Sequence, residues 1–458
     1  MDFSKINKVH IIGIGGIGVS AVAKIFLALG KQVSGSDIQE SDLTLNLAKR
    51  GVAITYGHQA GNITPDVDLV VYSPAVEETN PEREQTVLFN IEQKSYPEFL
   101  GVYSHDKKTI AISGTNGKST TTAMLGKIFE KAGLDPTIIV GTQVQGFDGN
   151  FRQGSSEWLI LEACEWKGHM LNLLPQTIIL TNLEPDHLDY YKDLDDLKHA
   201  FQKYINSLPI NGGFLAFNAD DPALQSLTKS KGYKVKTWSI HNNADFVATE
   251  LANKKQKQLF KILNHPFSLK IPGLFNVYNA LAAITVAKEA GIDWKIIKES
   301  LAEFSGSWRR FELVGKLKGQ KDILVVSDYA HHPTALKGTL KAAKEFYPER
   351  RLVALFQPHH FDRTAKLFDD FVKSFDYVDQ LIISEVYDVA GRQSDGVRSV
   401  GSTEMVAAIK ARHPFKEITY AADLPIAQKY LLDQVKPNDL VLIMGAGDVD
   451  QVARNIVH

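Results

Sequence analysis

An α/β fold of three domains is predicted from three features of the chain. Short apolar runs alternate with helical patterns of about 10 to 15 residues, which is the signature of parallel sheets covered by helices. Two glycine-rich turns, Gly13-Ile14-Gly15-Gly16-Ile17-Gly18 and Gly114-Thr115-Asn116-Gly117, each stand between an apolar run and a helical pattern. After Gly306-Ser307-Trp308-Arg309-Arg310 the strand–helix pattern starts again. At 458 residues the chain exceeds the size at which a single core stops growing. The reading is a Rossmann-like domain over 1–106, a central phosphate-loop ATPase-type sheet over 107–314 and a second Rossmann-like domain over 315–458.

The elements follow in order. Lys8 to Ile14 reads as a strand, Gly16 to Leu29 as a helix, and Gln32 to Ser36 and Asp68 to Tyr72 as further strands. Polar residues from Gly101 to Lys108 read as a linker before the strand Thr109 to Ser113 and the helix Thr121 to Lys131. Central strands are expected at Glu157 to Glu162, Thr177 to Asn182 and Gly213 to Asn218. The lysine-rich 252–270 suggests antiparallel strands, and Val277 to Ala290 closes this part as a helix. The last domain reads as strand Ile323 to Ser327, helix 334–346, strand 351–356, helix 364–374, strand 380–384 and strand Leu440 to Met444.

Composition excludes several classes. A net charge of -2 offers no basic field for nucleic acid, so small-molecule substrates are expected. The single cysteine, Cys164, rules out an internal disulfide framework and a multi-thiolate zinc site. The opening Met1-Asp2-Phe3-Ser4-Lys5 lacks the pattern of a secretory signal, and no run approaches the roughly 20 apolar residues of a membrane span. A cytoplasmic chain with no membrane partner is the expectation.

The strongest chemical signal is Gly114-Thr115-Asn116-Gly117-Lys118-Ser119-Thr120. Small residues let backbone N–H groups converge on an anion, Lys118 adds a mobile positive charge, and the Ser119 hydroxyl suits a magnesium ion bridging phosphates. The implied ligand is a nucleoside triphosphate. The loop is a variant, because Ile112 stands where the general pattern has its first glycine. Near the N-terminus, Gly13, Gly15, Gly16 and Gly18 with Asp37 form a G-x-G-x-x-G fingerprint that accommodates a dinucleotide or another nucleotide diphosphate. His58, Asn62, Ser73 and Asn80-Pro81-Glu82 fall near strand ends, where such a sheet presents its ligand crevice.

Two central strands lead into Glu162-Ala163-Cys164-Glu165 and Glu184-Pro185-Asp186-His187, on the rim that carries the phosphate loop. Glu162 with Ser119 makes an oxygen site for a hard cation; His187 reads either as a further ligand or as a helix-start or buried hydrogen-bonding histidine. Asn276 reads as an N-cap, and Asn279 one turn later as facing a base. Arg309 and Arg310 stand at an interdomain joint, where a guanidinium can neutralise charge on a transferred phosphoryl group or form a surface salt bridge. Asp328-Tyr329-Ala330-His331-His332-Pro333 and Phe356-Gln357-Pro358-His359-His360-Phe361-Asp362-Arg363 mark a second substrate edge, not a zinc site.

Taken together in this order, these motifs, with Asn276-Val277-Tyr278-Asn279-Ala280 and Arg309-Arg310-Phe311-Glu312, resemble the Mur ligase family over essentially the whole chain. The resemblance implies an ATP- and magnesium-dependent enzyme that joins L-alanine to the lactyl carboxylate of UDP-N-acetylmuramate through an acyl phosphate. It implies that Gly13, Gly15, Gly16, Gly18, Asp37, His58 and Ser73 hold the UDP-sugar and that residues 114 to 120 with Asn276 and Asn279 hold ATP. Ser119 and Glu162 would bind one magnesium ion and His187 a second. Lys118, His187, Arg309, Arg310, Asp328 and His331 would complete the catalytic set, with His187, His331 and Asp328 each a candidate base. His359, His360 and Arg363 would face the amino acid, in a C-terminal domain that closes, and the chain would be a monomer or weak homodimer. Asn116, Ser119, Phe275 and His360 depart from the usual pattern of the alanine-adding branch; His360 replaces a guanidinium and bears on the choice of acceptor. A recycling ligase that adds a peptide and, from another class, an NAD-dependent dehydrogenase are the rival readings.

Overall fold

Strands built from Val, Ile and Leu with both faces buried require helices on both sides, and the chain supplies them. The computed structural model describes residues 1–187, 190–227, 232–319, 322–387 and 400–457. It has three sheets and divides into two compact units. One comprises Met1–Thr249, Ile262–His265 and Tyr278–Leu301; the other comprises Glu250–Lys261, Pro266–Val277 and Ala302–His458.

In the first unit, β1 (Lys8–Ile12), β2 (Gln32–Asp37), β3 (Ala53–Tyr56), β4 (Leu69–Tyr72) and β5 (Glu92–Ser95) form a parallel sheet in the order β3-β2-β1-β4-β5. The order reverses beside β1, so a crevice opens at the end of that strand. The glycine turn follows it directly, ahead of the helix Ile17–Ala28. The central sheet carries β6 (Lys108–Ser113), β7 (Thr137–Ile139), β8 (Phe151–Arg152), β9 (Trp158–Glu162), β10 (Thr177–Leu180), β11 (Phe214–Asn218) and β12 (Lys234–Ser239), in the order β12-β11-β10-β6-β9-β7-β8. β6 pairs in parallel with β10 on one side and β9 on the other, with Ser113 opposite Leu180 and Ile112 opposite Glu162. Three strand ends therefore stand side by side where the phosphate loop begins.

Two buried polar groups tie these sheets together within the unit. Lys24, on the helix after the first glycine turn, donates to Asp148 O at 2.7 Å and Asn150 Oδ1 at 3.1 Å. Asn150 is fully buried and donates its amide to Ile17 O at the start of the same helix. Burial lowers the pKa of the Lys24 ammonium, and the Asp148 carboxylate partly opposes that shift. Arg50 also pairs with the Asp148 carboxylate.

The second unit contains strands β14 (Gln258–Ile262, mostly in this unit) and β15 (His265–Leu269), which follow β13 (Phe246–Asn253); Phe260 and Phe267 stack with ring centroids 5.3 Å apart. Its main sheet has β16 (Glu312–Lys316), β17 (Leu324–Asp328), β18 (Leu352–Phe356), β19 (Gln380–Ser384), β20 (Glu417–Ala421) and β21 (Leu440–Met444) in the order β16-β17-β21-β18-β19-β20. Alternate residues serve opposite cores: Leu352, Ala354 and Phe356 pack on one face, Val353 and Leu355 on the other. That is the period of a strand buried on both sides.

Several elements differ from the sequence reading. The linker from Gly101 is in part the end of a helix, Tyr96–Ser104, which a Ser95–Glu98 capping box and Pro97 start upstream of the polar residues. The helix expected at 364–374 is two short ones, Phe361–Lys366 and Phe368–Val372, separated by Leu367 in a non-helical conformation. The helix read from Val277 begins at Leu274, so Asn276 lies inside its first turn and donates to Pro272 O at 2.7 Å instead of capping. The antiparallel edge strand β16 was not read at all, because its residues lack a clear apolar alternation.

Replacing Asn150 by alanine would leave the buried Lys24 ammonium with one acceptor fewer and remove the amide that ties the segment at residue 150 to Ile17 O. Asn150→Ala is expected to destabilise the first unit by about 1–3 kcal/mol. A denaturation midpoint unchanged from the parent would contradict this role.

Candidate active site

The central glycine loop is shaped by its neighbours as much as by its own residues. Gly114 has φ +127°, and a Cβ there would overlap Thr181 Oγ1 and come within 2.8 Å of Asn182 O. Gly117, at φ +86°, precedes the helix Lys118–Lys131, and its Cβ would overlap Asn279 Oδ1. Among the described residues no side chain caps that helix, so its first N–H groups and the positive end of its dipole face the loop. The Thr181-Asn182-Leu183-Glu184 segment beyond β10 pins the loop. Asn116 N donates to Asn182 Oδ1 at 2.8 Å, while Thr181 Oγ1 and Asn182 Nδ2 donate to Asn116 O at 2.6 and 3.0 Å. Thr115 Oγ1 donates to Glu184 O at 3.1 Å.

Charged groups converge on this cradle from β9. Ser119 Oγ donates to Glu162 Oε2 at 2.8 Å, and Gly141 N donates to the same oxygen at 2.9 Å. Lys118 Nζ donates to Gly114 O at 2.5 Å, Thr115 O at 3.1 Å and Glu165 Oε1 at 2.9 Å. Burial lowers the pKa of the Lys118 ammonium, but the neighbouring acidic groups together, Glu165 foremost, outweigh it and the pKa is raised. Glu165 is itself buried, and among the described residues its Oε2 has no hydrogen-bond partner. His187 Nε2 lies 3.8 Å from Glu165 Oε1 and 4.0 Å from Asp186 Oδ2, and one ligand atom from each of these three residues falls within 4.8 Å of the others. The residues fit a hard divalent cation. Ser119 and Glu162 offer oxygens in contact, and a buried carboxylate oxygen beside Asp186 still lacks a partner. Asn279 Oδ1 accepts from Thr121 Oγ1 at 3.3 Å, which ties the helix Leu274–Glu289 to the helix behind the loop.

The first glycine turn is closed by its own acid. Gly15 N donates to Asp37 Oδ2 at 2.7 Å and Ile38 N to Asp37 Oδ1 at 2.8 Å, so the carboxylate that the sequence offers to a ligand hydroxyl also shapes the turn. Gly18 faces Tyr96, whose ring a Cβ would approach to 2.8 Å. Gly13 lies against Ser73, where a Cβ would be 3.0 Å from the serine Cβ; Gly16 N donates to Gly13 O within the turn. His58 Nδ1 is 3.1 Å from Ser36 Oγ and 3.5 Å from Glu82 Oε1. Glu82 is fully buried. Burial would raise its pKa, but hydrogen bonds from His10, Ser36 and Asn62 outweigh this and lower it.

The second unit holds the remaining predicted residues. Asp328, at the end of β17, accepts from Phe311 N at 2.6 Å and Ala330 N at 2.7 Å, one bond per oxygen. Burial raises its pKa, and the Arg310 charge partly opposes that. Arg309 is buried rather than surface-paired: it donates to Gly445 O and lies over the rings of Trp308 and Tyr329. Arg310 also lies over the Tyr329 ring, 4.8 Å from its centroid. His331 Nδ1 is 2.9 Å from Tyr329 O. His359 stacks on Tyr387 at 5.6 Å, meets His360 edge-on at 4.0 Å and lies 6.0 Å from His331. His360 has φ +67° and ends the turn before the short helix that carries Arg363.

Lys118, Ser119, Glu162 and His187 thus share one site with Asn279 nearby. Arg309, Arg310, Asp328 and His331 cluster in the second unit, as do His331, His359 and His360. Sequence reasoning gave Glu165, Asp186, Asn182 and Tyr387 no role, whereas Glu82, named with the crevice residues, is fully buried beneath His58. Glu165 stood three residues beyond Glu162 in a quoted motif, but strand alternation gave no reason to aim both at one loop.

Comparison with known proteins agrees with this architecture. Residues 8–108 match the Mur ligase family catalytic domain, 112–287 the Mur ligase middle domain and 309–447 the Mur ligase glutamate ligase domain. The UDP-N-acetylmuramate–L-alanine ligase of Clostridium novyi is 41% identical, covering 98% of both chains, and that of Clostridium tetani is 41% identical over 98% of this chain and 97% of its own. Among solved structures, the UDP-N-acetylmuramate–alanine ligase of Thermotoga maritima superposes with a TM-score of 0.83 at 28% identity, covering 98% of each chain. A murein peptide ligase from Psychrobacter arcticus gives 0.71 at 25% identity over the same shares. With family domains matched along nearly its whole length and full-length relatives at this identity, the chain belongs to the Mur ligase family.

Proposed function

We propose that this protein is an ATP-dependent ligase that joins L-alanine to the lactyl carboxylate of UDP-N-acetylmuramate in peptidoglycan precursor synthesis. The observation that carries the reading is the meeting of Lys118, Ser119, Glu162, Glu165 and His187 around one glycine loop. The names of the full-length relatives support L-alanine as the acceptor. Division of the chain at 106 and 314 assigns the UDP-sugar to the first part, ATP to the second and the amino acid to the third.

In this reaction the lactyl carboxylate oxygen attacks the γ-phosphorus of ATP, ADP leaves, and the amine of alanine attacks the acyl phosphate carbon with loss of phosphate. Two anions must approach each other in the first step. The uncapped N–H groups at the start of the helix Lys118–Lys131 and the Lys118 ammonium offset the charge on the phosphates. Ser119 and Glu162 would hold magnesium, with His187 at a second ion; magnesium when bound supplies charge neutralisation at the phosphate oxygens. Asn279 and Asn276 are assigned to the base, and Gly13, Gly15, Gly16, Gly18, Asp37, His58 and Ser73 to the UDP-sugar. His359, His360 and Arg363 are assigned to the amino acid.

The amine must lose a proton to attack. Asp328 already accepts one backbone N–H on each oxygen, which suits it to hold the backbone at Phe311 against that at Ala330. We therefore assign proton acceptance to a histidine, His331, because His187 is assigned to the second ion and its acceptor nitrogen is engaged there. Arg310, over the Tyr329 ring, is the guanidinium assigned to substrate phosphate, and Arg309 the one that supports it. A cytoplasmic monomer or weak homodimer acting on small molecules completes the reading. No helix among the described residues is long and apolar enough to cross a membrane.

Phosphate release measured with UDP-N-acetylmuramate, MgATP and each amino acid in turn, with the free tripeptide as a competing acceptor, is expected to single out L-alanine; release only with the tripeptide would overturn the assignment. Lys118→Ala should lower kcat by about 100-fold or more. Turnover near the parent rate in that variant would remove the triphosphate from this loop. Asp328→Asn presents an amide N–H to one of two backbone donors, so a loss of about 1–3 kcal/mol in unfolding free energy is expected. An altered pH–rate profile at parental stability would instead make Asp328 the base.

A further inference from the structure

We infer that Glu165 is a positioning residue that withholds Lys118 from phosphate until a divalent cation takes over its carboxylate; this rests on the assignment of the loop to ATP. The argument is a count of donors. A lysine ammonium has three N–H bonds to give. Those of Lys118 go to Gly114 O, Thr115 O and Glu165 Oε1. A phosphate oxygen can be met only if one of these bonds is released.

The three acceptors are not equivalent. Gly114 and Thr115 belong to a loop fixed by Asn182, since Thr115 N donates to Asn182 O at 3.0 Å and Asn116 N to Asn182 Oδ1 at 2.8 Å. Glu165 is held at its backbone instead: its carbonyl accepts from Tyr191 OH at 2.5 Å and Gly168 N at 3.0 Å. Its carboxylate has somewhere else to go. Oε2 is buried with no hydrogen-bond partner among the described residues, and Asp186 and His187 stand beside it with ligand atoms inside the same 4.8 Å cluster. A buried carboxylate stripped of its counter-charge is costly, so Glu165 does not leave Lys118 for nothing. A divalent cation among Glu165, Asp186 and His187 supplies the replacement charge, and Lys118 becomes available to the triphosphate in the same exchange. Cation and nucleotide are then coupled through this one side chain, over and above the direct bond that Ser119 and Glu162 offer a phosphate-bound ion. By linkage the coupling is reciprocal.

The test is ADP binding by calorimetry to the full-length protein, once in EDTA and once in excess magnesium chloride, with melting temperature as a check on folding. Glu165→Gln removes the charge that restrains Lys118. ADP in EDTA should bind this variant about fivefold or more tighter than the parent, and the enhancement by magnesium should shrink by a similar factor. Asp186→Asn should give the opposite signature, with parental affinity in EDTA and a reduced enhancement, because the destination of the carboxylate is weakened while its restraint on Lys118 stays. Glu165→Asp, which keeps the charge, should restore most of the magnesium dependence. Parental affinity and enhancement in a folded Glu165→Gln protein overturn the inference and leave the nucleotide site standing. If Glu165→Gln fails to fold, full enhancement in Asp186→Asn overturns it equally. A parent protein that binds ADP under neither condition defeats the nucleotide assignment itself, and the exchange falls with it.

Discussion

The parallel pairing of β6 with β9 and β10 is the constraint on which the central site depends. Side-by-side strands of the same direction deliver their following loops to one edge, so residues 114–119, 162–165 and 181–187 meet although they are far apart in the chain. Each loop then limits the others. Glycine at 114 and 117 leaves room for Thr181, Asn182 and Asn279, and those side chains hold the loop open for an anion. Asn182 takes up the Thr115 and Asn116 N–H groups and so fixes the loop before any ligand is considered, leaving the N–H groups at the start of the helix Lys118–Lys131 to face an anion.

Charge in this site is concentrated and predominantly negative, with three carboxylates against a single ammonium. Glu162, Glu165 and Asp186 surround Lys118 and His187, and Glu165 is almost wholly removed from water. Such a group of carboxylates is poorly suited to a polyanion unless cations accompany it. Its chemistry therefore favours a nucleotide that arrives with magnesium. The first sheet repeats the principle in a milder form, where Asp37 shapes the glycine turn and Glu82 anchors His58 from the interior.

Much of the fold was legible in the chain because strand and helix periods are local properties. β19 and β21 fall on the residues expected, and the other strands that were read one by one begin or end within two residues of the reading, while β3, β5, β7, β8, β12, β16 and β20 were not read. Where the reading failed, a local competitor was overlooked. The capping box at Ser95 and Glu98 starts a helix that runs into the polar segment taken for a linker, and Leu367 interrupts a helix whose amphipathic pattern continues across it. The phosphate loop, Glu162 and His187 were visible as residue types with a known chemistry. Glu165 and Asn182 sat in the same motifs without an evident task, since their partners lie on other strands.

The sequence by itself determined the α/β class, the two glycine turns and the identity of the groups able to hold phosphate and a hard cation, because spacing and residue type encode backbone conformation and ligand preference. The tertiary structure alone decided which of those groups touch. Lys118 pairs with Glu165 rather than Glu162, Asp328 divides its oxygens between two backbone amides, and Arg309 is buried against Gly445. Those outcomes follow from the register of neighbouring strands and the room left between their ends, quantities that arise only when distant segments pack together.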